Sequence, residues 1–199
     1  IGKFAEVNRE IIETKDLPKQ IGNAVVASED RTFWTNSGVD LRGIARAFLN
    51  NARGGATQGA STLSQQYVER YYMAENTNQG NVVQRYWAKA KEAIMALKIN
   101  RQQEKDEILG NYLNTIYFGR GSYGIQAAAK AYFGKNAKDI DYSEAALLSG
   151  IIPAPSAYDP AVSQELAEKR WKRVIKNMAA DGYITPEQQA AAQFPATIP

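Results

Sequence analysis

Cysteine and histidine are both missing from this 199-residue chain. Without thiols there can be no disulfides, no thiolate zinc sites and no cysteine nucleophile. Without imidazole, Ser-His-Asp triads and histidine-ligated metals are excluded, along with the commonest acid–base side chain near neutral pH. Proton transfer must fall to carboxylates, lysines or tyrosines, and most readily to a carboxylate whose pKa is altered by its surroundings. Long apolar runs are also lacking: none approaches the ~18 residues of a membrane span, and the first residues do not form a signal-peptide pattern. Charge of one sign is scarce, because 24 basic residues face 21 acidic ones for a formal net charge of +3. So small an excess suits an anionic ligand, a phosphate or an acidic membrane surface. It does not indicate nucleic acid, and no basic–aromatic stripe supports that partner.

What is present is ordinary globular material, with 44% apolar and 23% charged residues. The length suits one substantial domain with a small flap. The chain starts inside folded-looking sequence and ends in the proline-containing stretch 194–199, which reads as a domain, 1–199, excised from something longer. Helical periodicity dominates. Asp40 can cap a helix carrying Leu41, Ile44, Ala45, Phe48 and Leu49, and Ile108, Leu109, Tyr112, Leu113, Ile116 and Tyr117 mark another that ends near Gly119. A third holds Ile125, Ala128, Ala129, Tyr132 and Phe133 and stops at Gly134. Asp141 with Glu144 forms a capping box; Leu166, Trp171, Val174, Ile175 and Met178 line a further helix; Pro186 opens a short final one. Strand patterns are confined to short pieces near the N-terminus. Residues 53–59 and 74–81 resist helix assignment, and the second stretch is expected to be a mobile loop.

Three constellations carry chemistry. Pro18 to Ser28 forms a mostly buried helix that ends in Glu29 and Asp30, followed by Phe33 and Trp34. Acids at a helix C-terminus face partial negative charge. Glu29 is therefore either a surface residue paired with Arg31 or a carboxylate in an apolar, aromatic cleft, where desolvation tunes its pKa. In the run 59–66, Thr62 and Gln65 fit a capping box, which leaves Ser61, Ser64 and Gln66 unexplained at a helix N-terminus suited to phosphate. The basic helix 85–98 places Trp87, Ile94, Met95 and Leu97 on one broad face with Lys91 inside it, while Lys89 and Glu92 stand at i, i+3.

Together these runs resemble the motifs of the peptidoglycan glycosyltransferases, the lysozyme-like polymerase domains of class A penicillin-binding proteins and of monofunctional transglycosylases. Glu29-Asp30-Arg31-Thr32-Phe33 with Gly38 resembles the first motif, 59–66 the second and 89–92 the third. Tyr112-Leu113-Asn114 through Gly124-Ile125 resembles the fourth, and 144–148 through Tyr158-Asp159-Pro160 the fifth. The resemblance implies a mainly α, lysozyme-like helical domain with a smaller, mobile, membrane-proximal lobe. It implies polymerisation of lipid II onto a growing glycan strand with inversion and loss of undecaprenyl diphosphate. Glu29 would be the general base and Glu92 the second acid. Lys89 would neutralise the diphosphate, Asp30 and Phe33 would shape the cleft, and Ser61, Thr62 and Gln66 would contact saccharide or phosphate. A divalent cation (Mg or Mn) at the diphosphate is compatible with the family, as is inhibition by moenomycin. Such domains work at the extracytoplasmic face of the bacterial membrane, anchored by an N-terminal span and acting within cell-wall assemblies.

The chain departs from the family pattern at three positions. Asn36 replaces a usual histidine, Glu69 a usual basic residue and Ala88 a usual arginine. Arg70 and Arg85 are expected to restore part of the missing charge at the substrate. Two other readings belong beside the first: a lysozyme-like hydrolase that cuts glycan with water, and a catalytically inactive module that binds glycan or a partner.

Overall fold

The structure is a computed structural model that describes residues 8–43, 61–72 and 82–199. It forms two compact units, Ile1–Arg31 with Gly110–Pro199, and Thr32–Leu109. The expected helix beyond residue 43, the loop 53–59 and the stretch 74–81 lie outside the described residues.

In the first unit the helices are α1 (Lys19–Glu29), the C-terminal part of α4 (Lys105–Thr115), α5 (Ile125–Phe133), α6 (Tyr142–Ile151), α7 (Pro155–Tyr158), α8 (Gln164–Ala180) and α9 (Pro186–Ala191). The centre is α6. Asp141 starts it with the expected capping box: its side chain accepts from the Ser143 and Glu144 amides, and Glu144 accepts from the Asp141 amide. Such a cap is worth about 1 kcal/mol. Every residue from Ser143 to Ile151 is buried, the mark of a helix covered on all sides. Both α1 and α8 pack on it and on each other. They present Ile21, Ala24, Val25 and Ala27 from one helix and Ala167, Trp171, Val174, Ile175 and Met178 from the other. Leu166, expected in the stripe of α8, is 42% exposed, because Ala167 takes the inward position next to it.

Short connections complete this unit. Gly134 ends α5 in the left-handed conformation, φ 67°, as the sequence predicts. Helix α4 stops at Thr115, short of the expected Gly119: the Ile116 carbonyl accepts from the Gly124 amide and Tyr117 bridges Tyr123, and the chain then turns through Gly119, Arg120 and Gly121, all at positive φ. Arg120 is the non-glycine residue held there, at φ 51°, and bonds within the unit secure it. Its guanidinium makes a paired contact with Asp159 at 2.8 and 2.7 Å and lies over the Tyr132 ring. The Arg120 bond is the largest cause holding the Asp159 carboxyl below the usual range. Near the N-terminus, β1 (Asn8–Arg9) pairs in parallel with β2 (Ser122–Tyr123). The Asn114 side chain clasps the Ile12 backbone through both its amide and its carbonyl.

In the second unit α2 (Leu63–Tyr72) packs against α3 (Val82–Gln102). The predicted Thr62–Gln65 capping box is present, with the Gln65 amide 3.2 Å from Thr62 Oγ1 and the Thr62 amide 3.1 Å from Gln65 Oε1. The inward face of α3 differs from the one its periodicity suggests. Glu92, Ala96 and Ile99 are buried, whereas Trp87 and Ile94 are 66% and 65% exposed. The close approach of Gly38 explains why Ala96 turns inward: a Cβ on Gly38 would lie 2.6 Å from the Ala96 carbonyl oxygen. Only a small residue on each side allows backbone contact of that kind.

Candidate active site

Glu29 ends α1, and its side chain is only 9% exposed. Ser28 Oγ lies 2.8 Å from Glu29 Oε1 and 2.9 Å from the carbonyl oxygen of Ser149 on α6. A hydroxyl has one proton, so Ser28 can donate to the carboxylate or to the carbonyl, and its lone pairs remain open to a proton from a neutral Glu29. Arg170 of α8 brings Nη2 to 4.0 Å from the same carboxylate oxygen. The surface reading of Glu29 is overturned. Arg31 instead turns to Asp181, with Nε 2.8 Å from Oδ2, and Asp30 is 7% exposed. The odd placement of two acids at a helix end is thus resolved by burial and by groups brought from α6 and α8.

The second unit gathers the other candidate acid and its cation. Lys89 Nζ is 2.7 Å from Glu92 Oε2 and 3.2 Å from Glu69 Oε2, so one ammonium serves two carboxylates. Glu92 is 1% exposed, and its Oε1 is buried without a hydrogen-bond partner among the described residues. Burial pushes the Glu92 carboxyl above the usual range; the Lys89 bond opposes this and the Glu69 charge adds to it. For Lys89, burial works against the ammonium, but Glu92 first and Glu69 after it outweigh that and raise its pKa. Glu69, which sequence comparison marks as a lost cation, is in the structure a partner of Lys89. Arg70 is exposed, and the side chain of Arg85 lies outside the description.

Other predicted contacts in this unit have structural work. Thr62 is buried, and its hydroxyl donates to the Gly38 carbonyl at 2.6 Å. Ser61 and Gln66 are half-buried at the start of α2. Phe33 is fully buried, edge-on to Trp34, with Lys105 Nζ 4.6 Å from its ring centre. Asn36 accepts from the Gly38 amide at 2.9 Å and from Lys105 Nζ at 3.2 Å, and donates to Thr32 Oγ1. It therefore keeps a local hydrogen-bond network without titrating.

A divalent cation fits poorly with these residues. Glu69 and Glu92 already share an ammonium, and among the described residues no group of three acidic side chains could hold a metal. The arrangement is a lysine site. Sequence reasoning missed Ser28, Ser149 and Arg170. Arg170 left one signal: it lies three residues after Ala167 and four before Val174, a charged residue on the edge of a buried stripe.

Comparison with known proteins shows the family of the chain. The sequence profile of the family described as Transglycosylase matches residues 1–179. Penicillin-binding protein 1A of Mycobacterium tuberculosis is 42% identical over 194 residues, which cover 98% of this chain and 23% of the relative. Penicillin-binding protein 1A of Neisseria flavescens is 40% identical over 193 residues, covering 96% and 23%. The chain thus spans about a quarter of the length of these curated relatives. The crystal structure of Penicillin-Binding Protein 1A from Haemophilus influenzae shares the fold with a TM-score of 0.58 at 24% identity, over 100% of this chain and 19% of that one. That likeness bears out the mainly α, lysozyme-like class expected from the motifs. The chain therefore belongs to the transglycosylase family.

Proposed function

We propose that this chain is a peptidoglycan glycosyltransferase that polymerises lipid II into β-1,4-linked glycan, with Glu29 as general base. The acceptor 4-hydroxyl gives its proton to Glu29 while its oxygen bonds to the donor's anomeric carbon. The bond from that carbon to the diphosphate breaks, and undecaprenyl diphosphate leaves with the electron pair, so the α-linked donor becomes a β link. Lys89 meets the charge on the departing diphosphate, Arg70 and Arg85 adding to it, and Glu92 holds the ammonium in place. Asp30, Phe33, Ser61, Thr62 and Gln66 shape or line the substrate's path.

The observation that carries this reading is the setting of Glu29. It is a largely buried carboxylate with a hydroxyl on one of its oxygens. In a chain without histidine, such a group is the natural proton acceptor. Hydrolysis would need a second carboxyl, protonated and within reach of a leaving sugar oxygen. Glu92 has the raised pKa, but it is buried and bonded to Lys89. The presence of an accessible ammonium suits a diphosphate leaving group better.

This reading sets the protein at the extracytoplasmic face of a bacterial membrane, where lipid-linked substrate lies, among partners in cell-wall synthesis. In support, α3 exposes Trp87, Lys91, Ile94 and Lys98 at helical spacing, an aromatic–aliphatic face edged with cations suited to a headgroup layer. Among the described residues no helix is long and apolar enough to cross a membrane.

Polymerisation of lipid II by the full chain, with and without Glu29→Gln, tests the proposal. Loss of general-base catalysis should lower the rate by about 10²–10⁴-fold, and moenomycin should inhibit the wild type. Equal rates for the two proteins, or shortening of preformed glycan in place of polymerisation, would overturn it.

A further inference from the structure

Arg170 is a buried cation that the reaction so far leaves without a task. Its side chain is 13% exposed, and three neighbours fix it. Nε donates to the Gly150 carbonyl at the end of α6 at 2.8 Å. The guanidinium carbon lies 5.3 Å from the centre of the Tyr158 ring on α7. Nη2 faces Glu29 Oε1 at 4.0 Å, close enough for strong attraction and too far for a direct hydrogen bond. That nitrogen is buried and has no hydrogen-bond partner among the described residues. Burial pulls the guanidinium below the ordinary arginine range; Arg173 adds to this and Glu29 opposes it. A buried N–H without a partner is costly, and an apolar residue would fill the space more cheaply if packing were the only need.

We infer that Arg170 is the positioning residue of the catalytic carboxylate: seated on Tyr158 and Gly150, it keeps Glu29 oriented and ionised for the proton it must accept. This inference rests on the reading of Glu29 as the base. Burial alone favours the neutral form of a carboxyl group, as a general acid requires; an opposite charge within ~4–6 Å favours the ionised form, as a base requires. Arginine is suited to the task because it cannot exchange the proton itself. Once Glu29 is neutral the attraction is lost, which favours passing the proton on and resetting the site. Arg170 shares the neighbourhood of Glu29 with other charged and titratable groups, and its distance from the carboxylate and its own anchors single it out. On its own helix end stands Asp30; α6 offers the uncharged Ser149 and Gly150; α7 offers Tyr158; α8 offers Arg173 behind Arg170. Arg31 is taken by Asp181.

The test is the pH profile of lipid II polymerisation by the full chain as wild type, Arg170→Gln, Arg170→Lys and Glu29→Gln, with Lys172→Gln as a control for charge loss on the same helix. Arg170→Gln should lower kcat about tenfold or more with KM within twofold. It should also move the acidic limb of the profile upward by about one pH unit. Arg170→Lys should bring the limb back toward wild type while kcat stays reduced, and Lys172→Gln should change neither. A limb that stays in place in Arg170→Gln, whatever happens to kcat, overturns the inference and leaves Arg170 as packing. Should Arg170→Gln fail to fold, Arg170→Lys decides: reduced kcat at wild-type KM sustains the role, and wild-type kcat overturns it. Full activity in Glu29→Gln would instead remove the base assignment itself, a distinguishable failure.

Discussion

The two candidate acids occupy opposite electrostatic settings. Glu29 has a hydroxyl on one oxygen and a cation held near but not bonded to it. Glu92 is more deeply buried, bonded directly to Lys89 and close to the second negative charge of Glu69. A base must be able to gain and lose a proton during each cycle, so its counter-charge should attract without occupying it. A carboxylate that holds a cation for a leaving group needs the contrary arrangement, a fixed bond. On the proposed roles, a cation held at 4.0 Å marks the base, and one bonded at 2.7 Å marks the carboxylate that steadies the ammonium for the leaving group.

That contrast can be broken most severely at Lys89. Lys89→Met removes the cation proposed to meet the diphosphate and leaves Glu92 buried without its partner. We expect polymerisation to fall by about 10²–10³-fold, measured as glycan formed per unit time, and a rate within twofold of wild type would remove Lys89 from the reaction. A gentler change sharpens the comparison. Glu69→Gln frees Lys89 from one of its two carboxylates at a half-exposed pair worth at most about 1 kcal/mol. Inorganic pyrophosphate should then inhibit about two- to fivefold more strongly at low salt, and the gain should vanish near 1 M salt, where the screening length is about 3 Å. The smallest effect concerns stability. The Glu92 pKa is raised in the folded state, so its protonated form contributes stability that is present below the unfolded glutamate value, 4.5, and is lost as pH rises through the higher folded value. The melting temperature of Glu92→Gln relative to wild type should therefore rise as pH increases across that window, and a flat difference would count against the raised pKa.

Legibility in the sequence followed the range of the interactions. The ends of α5, α6 and α9 were readable because Gly134, Asp141 with Glu144, and Pro186 act within a turn of the helix ends they set. The inward face of α3 was not, because it depends on Gly38, which is distant along the chain and approaches Ala96 through backbone contact. At the site, Glu29 stood out through the ordered motifs around it. Its environment did not, since Ser149 and Arg170 reach it only through the packing of α6 and α8 on α1. Glu69 shows the limit of reading charge by position. In the sequence it is a missing cation; in space it is half of the pair that orients Lys89.

The complete burial of α6 has one more consequence, in the time domain. Amides in a helix covered on every side exchange with solvent only when the surrounding unit unfolds as a whole, whereas exposed segments exchange through local openings. The carbonyls of Ser149 and Gly150 belong to that slow helix, and they are the anchors of Ser28 and Arg170. The candidate carboxylate Glu29 is therefore moored to the part of its unit that opens last.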